Sequence, residues 1–245
     1  MLSALKTELI LRADELNNQT IETIYFGGGT PSMLSQSEID QIIRSVYDHH
    51  KVIQDPEITL EANPDDLSKE KIIELSKSKV NRLSIGVQSF FEHDLKLMNR
   101  AHNAQEARES LSIASQYFQN ISLDLIYGIP GLTNAQWIEN IHTALSFGVP
   151  HISSYALTVE PKTALQSFIE KGIIDDVNDE LAQEQFLILV EESSTLFFIV
   201  RVTEIVNGNG ADFPQSRRRN SPLPDLYQHL LALVVLFLYD LQLIM

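Results

Sequence analysis

Strand-like and helix-like segments alternate regularly along most of this chain. Apolar, β-favouring runs occupy residues 21–26, 57–63, 82–89, 121–131 and 151–161. The segments between them, which recur at intervals of roughly thirty residues, carry apolar residues at helical spacing. This alternation predicts βαβ units and a parallel sheet. Spacing alone leaves two architectures open, a doubly wound sheet and a (β/α) barrel.

Several helix boundaries are also marked in the sequence. A helix is expected over residues 1–17, where leucines recur at helical spacing between charged residues. Ser35 and Glu38 form a capping-box pattern before an apolar helical face, and Ser68 is a candidate N-cap for a helix over 67–79. Trp137 near the start of a later helix is expected to be a packing residue.

Composition narrows the possible functions. The chain has 245 residues, and 18 Lys and Arg against 33 Asp and Glu give a net charge of −15. This acidic balance argues against a nucleic-acid partner, which would require a basic surface. Because there is no cysteine, the chain has no disulfide and no thiolate-held metal or iron–sulfur cluster, and the seven histidines lack metal-binding spacing. No metal site is therefore predicted. A cytoplasmic location is expected, and a membrane association is not.

Three consecutive glycines, Gly27 to Gly29, follow the first predicted strand and precede Thr30 and Pro31. Glycines are costly to order on folding, so a run of them needs a reason. One interpretation is a tight turn after a buried strand. The other is a turn that leaves backbone N–H groups bare for a ligand such as a carboxylate or a ribose hydroxyl.

Polar residues stand in or at the end of every predicted strand. Glu61 and Asp124 lie inside apolar runs, and Gln88 closes the third strand. A buried acid requires a partner, so these carboxylates belong either to an internal network, with Arg82 or Arg100, or to a ligand site. Their recurrence on successive strands favours a shared cavity above a barrel-type sheet.

The segments IYFGGGTPS, EITLEANPDDL, NRLSIGVQSF, LKLMNRAHNAQEA, ISLDLIYGIPG and ISSYALTVEP resemble, in order and spacing, the oxygen-independent coproporphyrinogen oxidase-like family of radical SAM proteins. The resemblance runs from about residue 2 to residue 192 and is closer to the HemW branch of heme chaperones than to the HemN oxidases. It implies an α/β fold, a partial (β/α) barrel of the radical SAM type with parallel strands.

The resemblance also implies ligands and site residues. Its ligands would be S-adenosylmethionine, a [4Fe–4S] cluster and, for this branch, heme or a related porphyrin. Gly28, Gly29 and Thr30 would lie along the methionyl part of S-adenosylmethionine, and Glu61 would contact its polar end. Gln88 and Arg100 would bind its carboxylate or ribose hydroxyls, Asp124 would accept from the ribose hydroxyls, and Ala156 would leave room for the adenine.

The sequence departs from the family pattern at both ends. The family holds its cluster on a C-x-x-x-C-x-x-C loop after its first strand, and this chain has no cysteine, so we expect that the first strand is missing and that the chain is inactive as given. We divide it into a barrel core, residues 1–192, and a divergent or disordered tail, residues 193–245, with a short apolar segment. Without its first strand, the barrel would leave the edge of residues 21–26 unpaired, which predicts poor solubility.

Three functional hypotheses remain. The first is a truncated radical SAM protein of the HemW type. The second is a non-catalytic protein that binds heme or S-adenosylmethionine as a small-molecule partner. The third, ranked last, is a barrel hydrolase or aldolase that uses Glu61 and Asp124 as acid and base. The residues leave the substrate and the oligomeric state open.

Overall fold

The computed structural model describes residues 2–16, 19–196, 199–203 and 232–236. Within these ranges one sheet contains the strands β1 (Ile21–Gly27), β2 (Val52–Ala62), β3 (Arg82–Gln88), β4 (Asn120–Tyr127), β5 (His151–Ala156), β6 (Ile199–Thr203) and β7 (Ala232–Leu236). The helices are α1 (Leu2–Leu11), α2 (Gln36–His49), α3 (Lys69–Leu75), α4 (Glu92–Leu97), α5 (Ala104–Tyr117), α6 (Asn134–Ser146), α7 (Ala164–Glu170) and α8 (Asp179–Leu196).

The strand order distinguishes between the two architectures that the sequence left open. The sheet runs β6-β5-β4-β3-β2-β1-β7, and each neighbouring pair is parallel. From β1 to β6 the order follows the chain without reversal, whereas a doubly wound sheet reverses at its switch point. Crossovers of constant hand then place the connecting helices on one face, which gives a curled, half-barrel sheet. The predicted partial (β/α) barrel is confirmed.

The two faces of the sheet differ in chemistry. Phe26, Leu60 and Leu123 belong to the face that packs against the helices, and all three are fully buried in the core. The alternate residues face the concave side, where the register sets Glu61 beside Ser84 and Ser84 beside Ser122. Side chains alternate along a strand, so an apolar outer face and a polar inner face come from the same segments.

Helix caps agree with the sequence. Ser35 and Glu38 form the predicted capping box at α2, and the Ser68 hydroxyl accepts from the backbone N–H of Lys71 at the start of α3. The helix α3 ends at Leu75, earlier than predicted. Three residues beyond the helix the Ser78 hydroxyl donates back to the carbonyl of Leu75, at 2.7 Å, and such local bonds compete with helix continuation.

Three strands differ clearly from the bounds that the sequence predicts: β2, β4 and β5, the last of which ends at Ala156 rather than at residue 161. The strand β2 begins at Val52 rather than at residue 57, although it contains Asp55 and Pro56, which disfavour strands. Pairing with β1 explains this, because Ile21 lies opposite Val52 across an irregular register. The strand β4 ends at Tyr127, since Gly128 turns the chain with φ +72°.

The edge of β1 differs from the expectation. Residues 232–236 form β7, which pairs in parallel with β1 from Thr23 to Gly27. The prediction of an unpaired edge at residues 21–26 is therefore wrong, and with it the ground for poor solubility at that edge. The basic and proline-rich part of the tail lies outside the described residues. Among the helices that the structure describes, none is both long and apolar enough to cross a bilayer.

Candidate functional site

A polar cavity of about 180 Å³ lies at the carboxyl ends of the central strands. Parallel strands bring their carboxyl ends to the same side of a sheet, which is where such folds bind ligands. The residues that line this cavity are Gly29, Thr30, Pro31, Ser32, Glu61, Ala62, Asn63, Ser84, Gly86, Gln88, Arg100 and Asp124. Six of the eight predicted site residues are therefore together: Gly29, Thr30, Glu61, Gln88, Arg100 and Asp124.

The glycine turn after β1 uses conformations that favour glycine. Gly28 and Gly29 have φ of +75° and +61°, where a side chain would be strained. The N–H of Gly28 donates to the carboxylate of Glu61 at 3.0 Å. The ligand-binding interpretation of the turn assumed that this N–H group is bare. Instead it is hydrogen-bonded, and the bond ties the turn to the neighbouring strand β2.

Glu61 accepts two hydrogen bonds from β1 and the turn after it. Besides Gly28, the hydroxyl of Tyr25 donates to the other carboxylate oxygen at 2.7 Å. Burial raises the pKa of Tyr25 above its ordinary value, and the bond to Glu61 adds to that effect, so the hydroxyl stays a donor. Glu61 is thus oriented by the protein while it still lines the cavity, and its partners are not the arginines proposed for it.

Asp124 lies on the same concave face, next to Ser153 of β5 in the register. Burial raises its pKa to about 6, with a further contribution from the negative charge of Glu61, while a hydrogen bond with Ser153 and the charges of Arg82 and Arg100 lower it. The carboxyl group therefore changes charge near neutral pH. Both arginines named in the sequence analysis influence Asp124.

Arg100 enters the cavity from the segment after α4. One terminal nitrogen donates to Asn63 Oδ1 at 2.7 Å and to the carbonyl of Gly86 at 3.3 Å. Its Nε is buried and has no hydrogen-bond partner among the described residues. Burial lowers the pKa of Arg100, but an arginine remains charged at neutral pH. A guanidinium in the lining of a cavity is a suitable site for an anionic group.

Gln88 closes the cavity at the end of β3. The register with β4 shifts between Ile85 and Gln88, and Gln88 takes φ +70°. Gly86 lies below it, and a Cβ on Gly86 would come within 2.9 Å of Gln88 Nε2 and 3.5 Å of a terminal nitrogen of Arg100. The missing side chain at Gly86 therefore keeps this part of the cavity open.

The two remaining predicted residues, Gly28 and Ala156, are not part of the lining of the cavity. Gly28 donates its N–H to Glu61, which does line the cavity, and Ala156 packs against the hydrophobic core. Their roles stay predictions. Trp137 is a packing residue, as expected, because it is fully buried and its ring lies 5.7 Å from that of Tyr127. Tyr127 belongs to the same buried cluster.

The sequence analysis did not include Ser84, Gly86, Asn63 or Tyr25 among the site residues. A signal for two of them was present, because Ser84, Gly86 and Gln88 are spaced by two residues in one strand and so share a face. Tyr25 likewise stands two residues before Gly27, the first residue of the glycine turn, and so shares a face of β1 with it. No group of three or more His, Asp or Glu side chains suited to a metal occurs in the part of the chain described.

Comparison with known proteins agrees with this architecture. The family model of the radical SAM superfamily matches residues 4–144. The heme chaperone HemW of Bacillus subtilis is 37% identical over 193 residues, which cover 78% of this chain and 51% of that protein. The mitochondrial radical S-adenosyl methionine domain-containing protein 1 of Bos taurus is 32% identical over 189 residues, which cover 75% of this chain and 43% of that protein.

The solved structure of coproporphyrinogen III oxidase (HemN) from Escherichia coli is also similar. It superposes with a TM-score of 0.66 at 25% identity, over 80% of this chain and 44% of that one. The chain belongs to the radical SAM superfamily. More narrowly, its family is the HemN/HemW-like one, as the motifs indicated. The chain spans about half the length of the curated relatives it matches.

The family implies S-adenosylmethionine and a [4Fe–4S] cluster, and the residues suit only one of them. The cavity offers carboxylates for hydroxyl and ammonium groups and the guanidinium of Arg100 for a carboxylate. For the cluster the sequence offers no cysteine ligand at all.

Proposed function

We propose that this polypeptide binds S-adenosylmethionine in the cavity at the carboxyl ends of β1 to β4, as part of a HemW-type protein. The observation that supports this most is the convergence of Glu61, Asp124 and Arg100 on one cavity beside a glycine turn. Two carboxylates and one guanidinium give the cavity a net negative charge when Asp124 is ionised. A sulfonium ligand, which carries a positive charge, suits such a site.

Each group of the ligand has a chemically matched residue in the proposal. The guanidinium of Arg100, together with Gln88, binds the methionyl carboxylate. Glu61 accepts from the ammonium group, Gly28, Gly29 and Thr30 lie along the methionyl chain, and Asp124 accepts from ribose hydroxyls. Ala156 leaves room for the adenine. These assignments rest on the family resemblance and on the positions of the side chains around the cavity.

Radical chemistry is not part of this proposal. S-adenosylmethionine is cleaved reductively in the family only with a cluster, and this sequence has no thiolate to hold one. We therefore assign ligand binding, and not catalysis, to the polypeptide as given.

Heme is a second candidate ligand, because relatives at 37% identity are heme chaperones. The lining of the cavity is mostly polar, which suits a zwitterionic amino acid better than a flat apolar macrocycle. A heme site would accordingly lie elsewhere on the molecule. Titration with heme, followed by its visible absorption, tests this independently of the cavity.

Calorimetric titration with S-adenosylmethionine tests the first proposal. We expect saturable binding that Arg100→Lys weakens by about 10- to 100-fold, since a lysine cannot reproduce the fork of donors. The variant Arg44→Lys, at an exposed position on α2, is the matched control and should bind as the unmodified chain does. S-adenosylhomocysteine, which lacks the sulfonium charge, should bind more weakly. Absence of binding by the unmodified chain, or equal binding by Arg100→Lys, would refute the proposal.

A further inference from the structure

Gln88 adopts a backbone conformation that its side chain does not favour. Its φ of +70° belongs to the left-handed region, which residues other than glycine, asparagine and aspartate rarely enter. The residue stands at the bulged end of β3, where the register with β4 shifts, and it lines the cavity. A strained residue persists only when its surroundings hold it in place.

The segment directly after Gln88 is held by a buried polar network of three residues. The hydroxyl of Ser89 donates to Asp94 Oδ2 at 2.6 Å, and Nδ2 of Asn140 donates to the Ser89 hydroxyl oxygen at 3.2 Å. Asn140 Oδ1 accepts from the backbone N–H of Phe90 at 2.8 Å. The N–H of Phe91 donates to the Ser89 hydroxyl oxygen at 3.1 Å.

These groups come from three elements and are removed from water. Ser89 and Asn140 are 0% exposed and Asp94 is 2% exposed. Asp94 belongs to α4 and Asn140 to α6, so the network joins two helices to the end of β3. Such a network costs desolvation energy, and apolar side chains could fill the same space. Unlike apolar contacts, hydrogen bonds are directional, so the bonds to the N–H groups of Phe90 and Phe91 fix the path of the backbone there.

Apolar contacts hold the same segment from the other side. The ring of Phe90 stacks on Phe147 with centroids 6.3 Å apart, and the guanidinium of Arg108 lies 5.0 Å from its centre. Phe90 is 3% exposed. The two residues that follow Gln88 are thus fixed both by hydrogen bonds and by packing.

The network does not itself reach the cavity. Ser89, Asp94 and Asn140 are absent from its lining, whereas Gln88 is part of it. Any influence of the network on a ligand must therefore pass through the position of Gln88. The side-chain nitrogen Nε2 of Gln88 and a terminal nitrogen of Arg100 both lie over Gly86.

We infer that Ser89, Asp94 and Asn140 are positioning residues that hold Gln88 in its left-handed conformation and thereby set the affinity of the cavity for an adenosyl ligand. This inference rests on the proposed binding of S-adenosylmethionine. Without the network the backbone at residue 88 relaxes toward negative φ, and the side chain leaves its place over Gly86.

The test compares two substitutions at Asp94 and one at Ser89. Asp94→Asn keeps an oxygen that can accept from the Ser89 hydroxyl, whereas Asp94→Leu and Ser89→Ala remove that bond. We expect Asp94→Leu and Ser89→Ala to lose about tenfold or more in affinity for S-adenosylmethionine, and Asp94→Asn to remain within about threefold of the unmodified chain. Ser89→Ala changes little volume, so it keeps the test valid if Asp94→Leu does not fold.

A core variant separates positioning from general destabilisation. Ile141→Ala removes a fully buried side chain next to Asn140 on the same helix, but no bond of the network. Measured well below its melting temperature, it should retain its affinity. If Ile141→Ala and Ser89→Ala lose affinity equally, or if Ser89→Ala and Asp94→Leu lose none while folded, the inference is wrong.

A second measurement does not depend on the ligand. Backbone Cα and Cβ chemical shifts of Gln88 report its conformation, and we expect them to move in Ser89→Ala and to stay in Asp94→Asn. Unchanged shifts in Ser89→Ala would overturn the inference. Should the unmodified chain fail to bind S-adenosylmethionine while the shifts move as expected, the proposed function would fail and the positioning of Gln88 would still stand.

Discussion

The carboxylate of Glu61 accepts a hydrogen bond from the backbone N–H of Gly28 at 3.0 Å, and this bond joins β2 to the glycine turn after β1. The same carboxylate accepts from the Tyr25 hydroxyl at 2.7 Å. The sequence left an internal network and a ligand site open for Glu61, and in the structure this side chain is a structural anchor that also lines the cavity. Changes at this position must affect both the stability and the cavity.

Glu61→Gln tests this double role. A glutamine amide offers one oxygen where the carboxylate offers two, so at least one of the bonds from Tyr25 and Gly28 is lost or reversed, and we expect a loss of about 1–3 kcal/mol in the free energy of unfolding. Removal of the charge should also lower the pKa of Asp124, which Glu61 helps to raise. Urea denaturation and NMR titration of Asp124 measure the two effects. Tyr25→Phe, which removes one donor and keeps the charge, should cost less and leave the pKa of Asp124 raised.

The stability of the protein should depend on the protonation of Asp124. Its pKa is about 6 in the folded protein against an ordinary value of 3.8, so the folded state binds its proton more tightly than the unfolded state does. The stabilisation of the folded state that comes from this tighter proton binding is fully present below about pH 4 and is lost as the pH rises through 6. It amounts to at most about 3 kcal/mol in the free energy of unfolding. Asp124→Asn should remove it.

The measurement is urea denaturation between pH 4 and pH 8, taken as the difference between the unmodified chain and Asp124→Asn, because other groups titrate as well. A difference that is independent of pH would contradict the assignment. In the proposed function an ionised Asp124 accepts from ribose hydroxyls, so affinity for S-adenosylmethionine should rise with pH through the same range.

Gly86→Ala tests the open part of the cavity. The added Cβ would meet Gln88 Nε2 at 2.9 Å and must displace that side chain, while the backbone at Gly86 has no conformation that demands glycine. We expect a loss of about tenfold or more in affinity for S-adenosylmethionine and a change in stability of less than about 1 kcal/mol.

Gly148→Ala is the matched control with the opposite pattern. Its Cβ would meet no atom within 4 Å, but its φ of +72° strains an alanine. It should cost about 1 kcal/mol of stability and leave the affinity unchanged. If both glycine variants affected binding equally, the steric argument at Gly86 would be wrong.

Gln185 provides a test of how α8 supports the strand ends. Its Oε1 accepts from the Gly128 N–H at 2.7 Å, its Nε2 donates to the Leu132 carbonyl at 3.0 Å, and its own carbonyl accepts from Trp137 Nε1 at 2.8 Å. Gln185→Ala leaves two buried backbone groups without partners and should cost about 2–5 kcal/mol in thermal or urea unfolding. Gln183→Ala, at an exposed position of the same helix, should cost less than about 0.5 kcal/mol. Similar losses in both would contradict the role of Gln185.

Much of the fold was accessible from local patterns. The strand and helix alternation, the caps at Ser35 and Ser68 and the burial of Trp137 depend on residues close together in the chain or on the apolar character of one side chain. The location of the site at the carboxyl ends of the strands was also predictable, because all parallel strands bring those ends to the same side of the sheet.

Other features depended on contacts between distant segments. The early start of β2 depends on pairing with Ile21, and the pairing of β7 with β1 joins segments about 200 residues apart. The hydrogen bond from the Gly28 N–H to Glu61 and the one from the Phe90 N–H to Asn140 also link separate elements. No local pattern encodes such partners.

The amino-acid order alone thus determined the parallel α/β class, the helix starts and the clustering of Glu61, Gln88 and Asp124 at one end of the strands, since each of these follows from the pattern of single segments. The placement of Arg100 beside them followed from the family resemblance, because Arg100 lies outside the strands. Tertiary structure alone decided which donors stay free, how Asp124 acquires a pKa near neutrality and what holds Gln88 in place. These depend on burial and on hydrogen-bond geometry between elements, which exist only after the segments have packed.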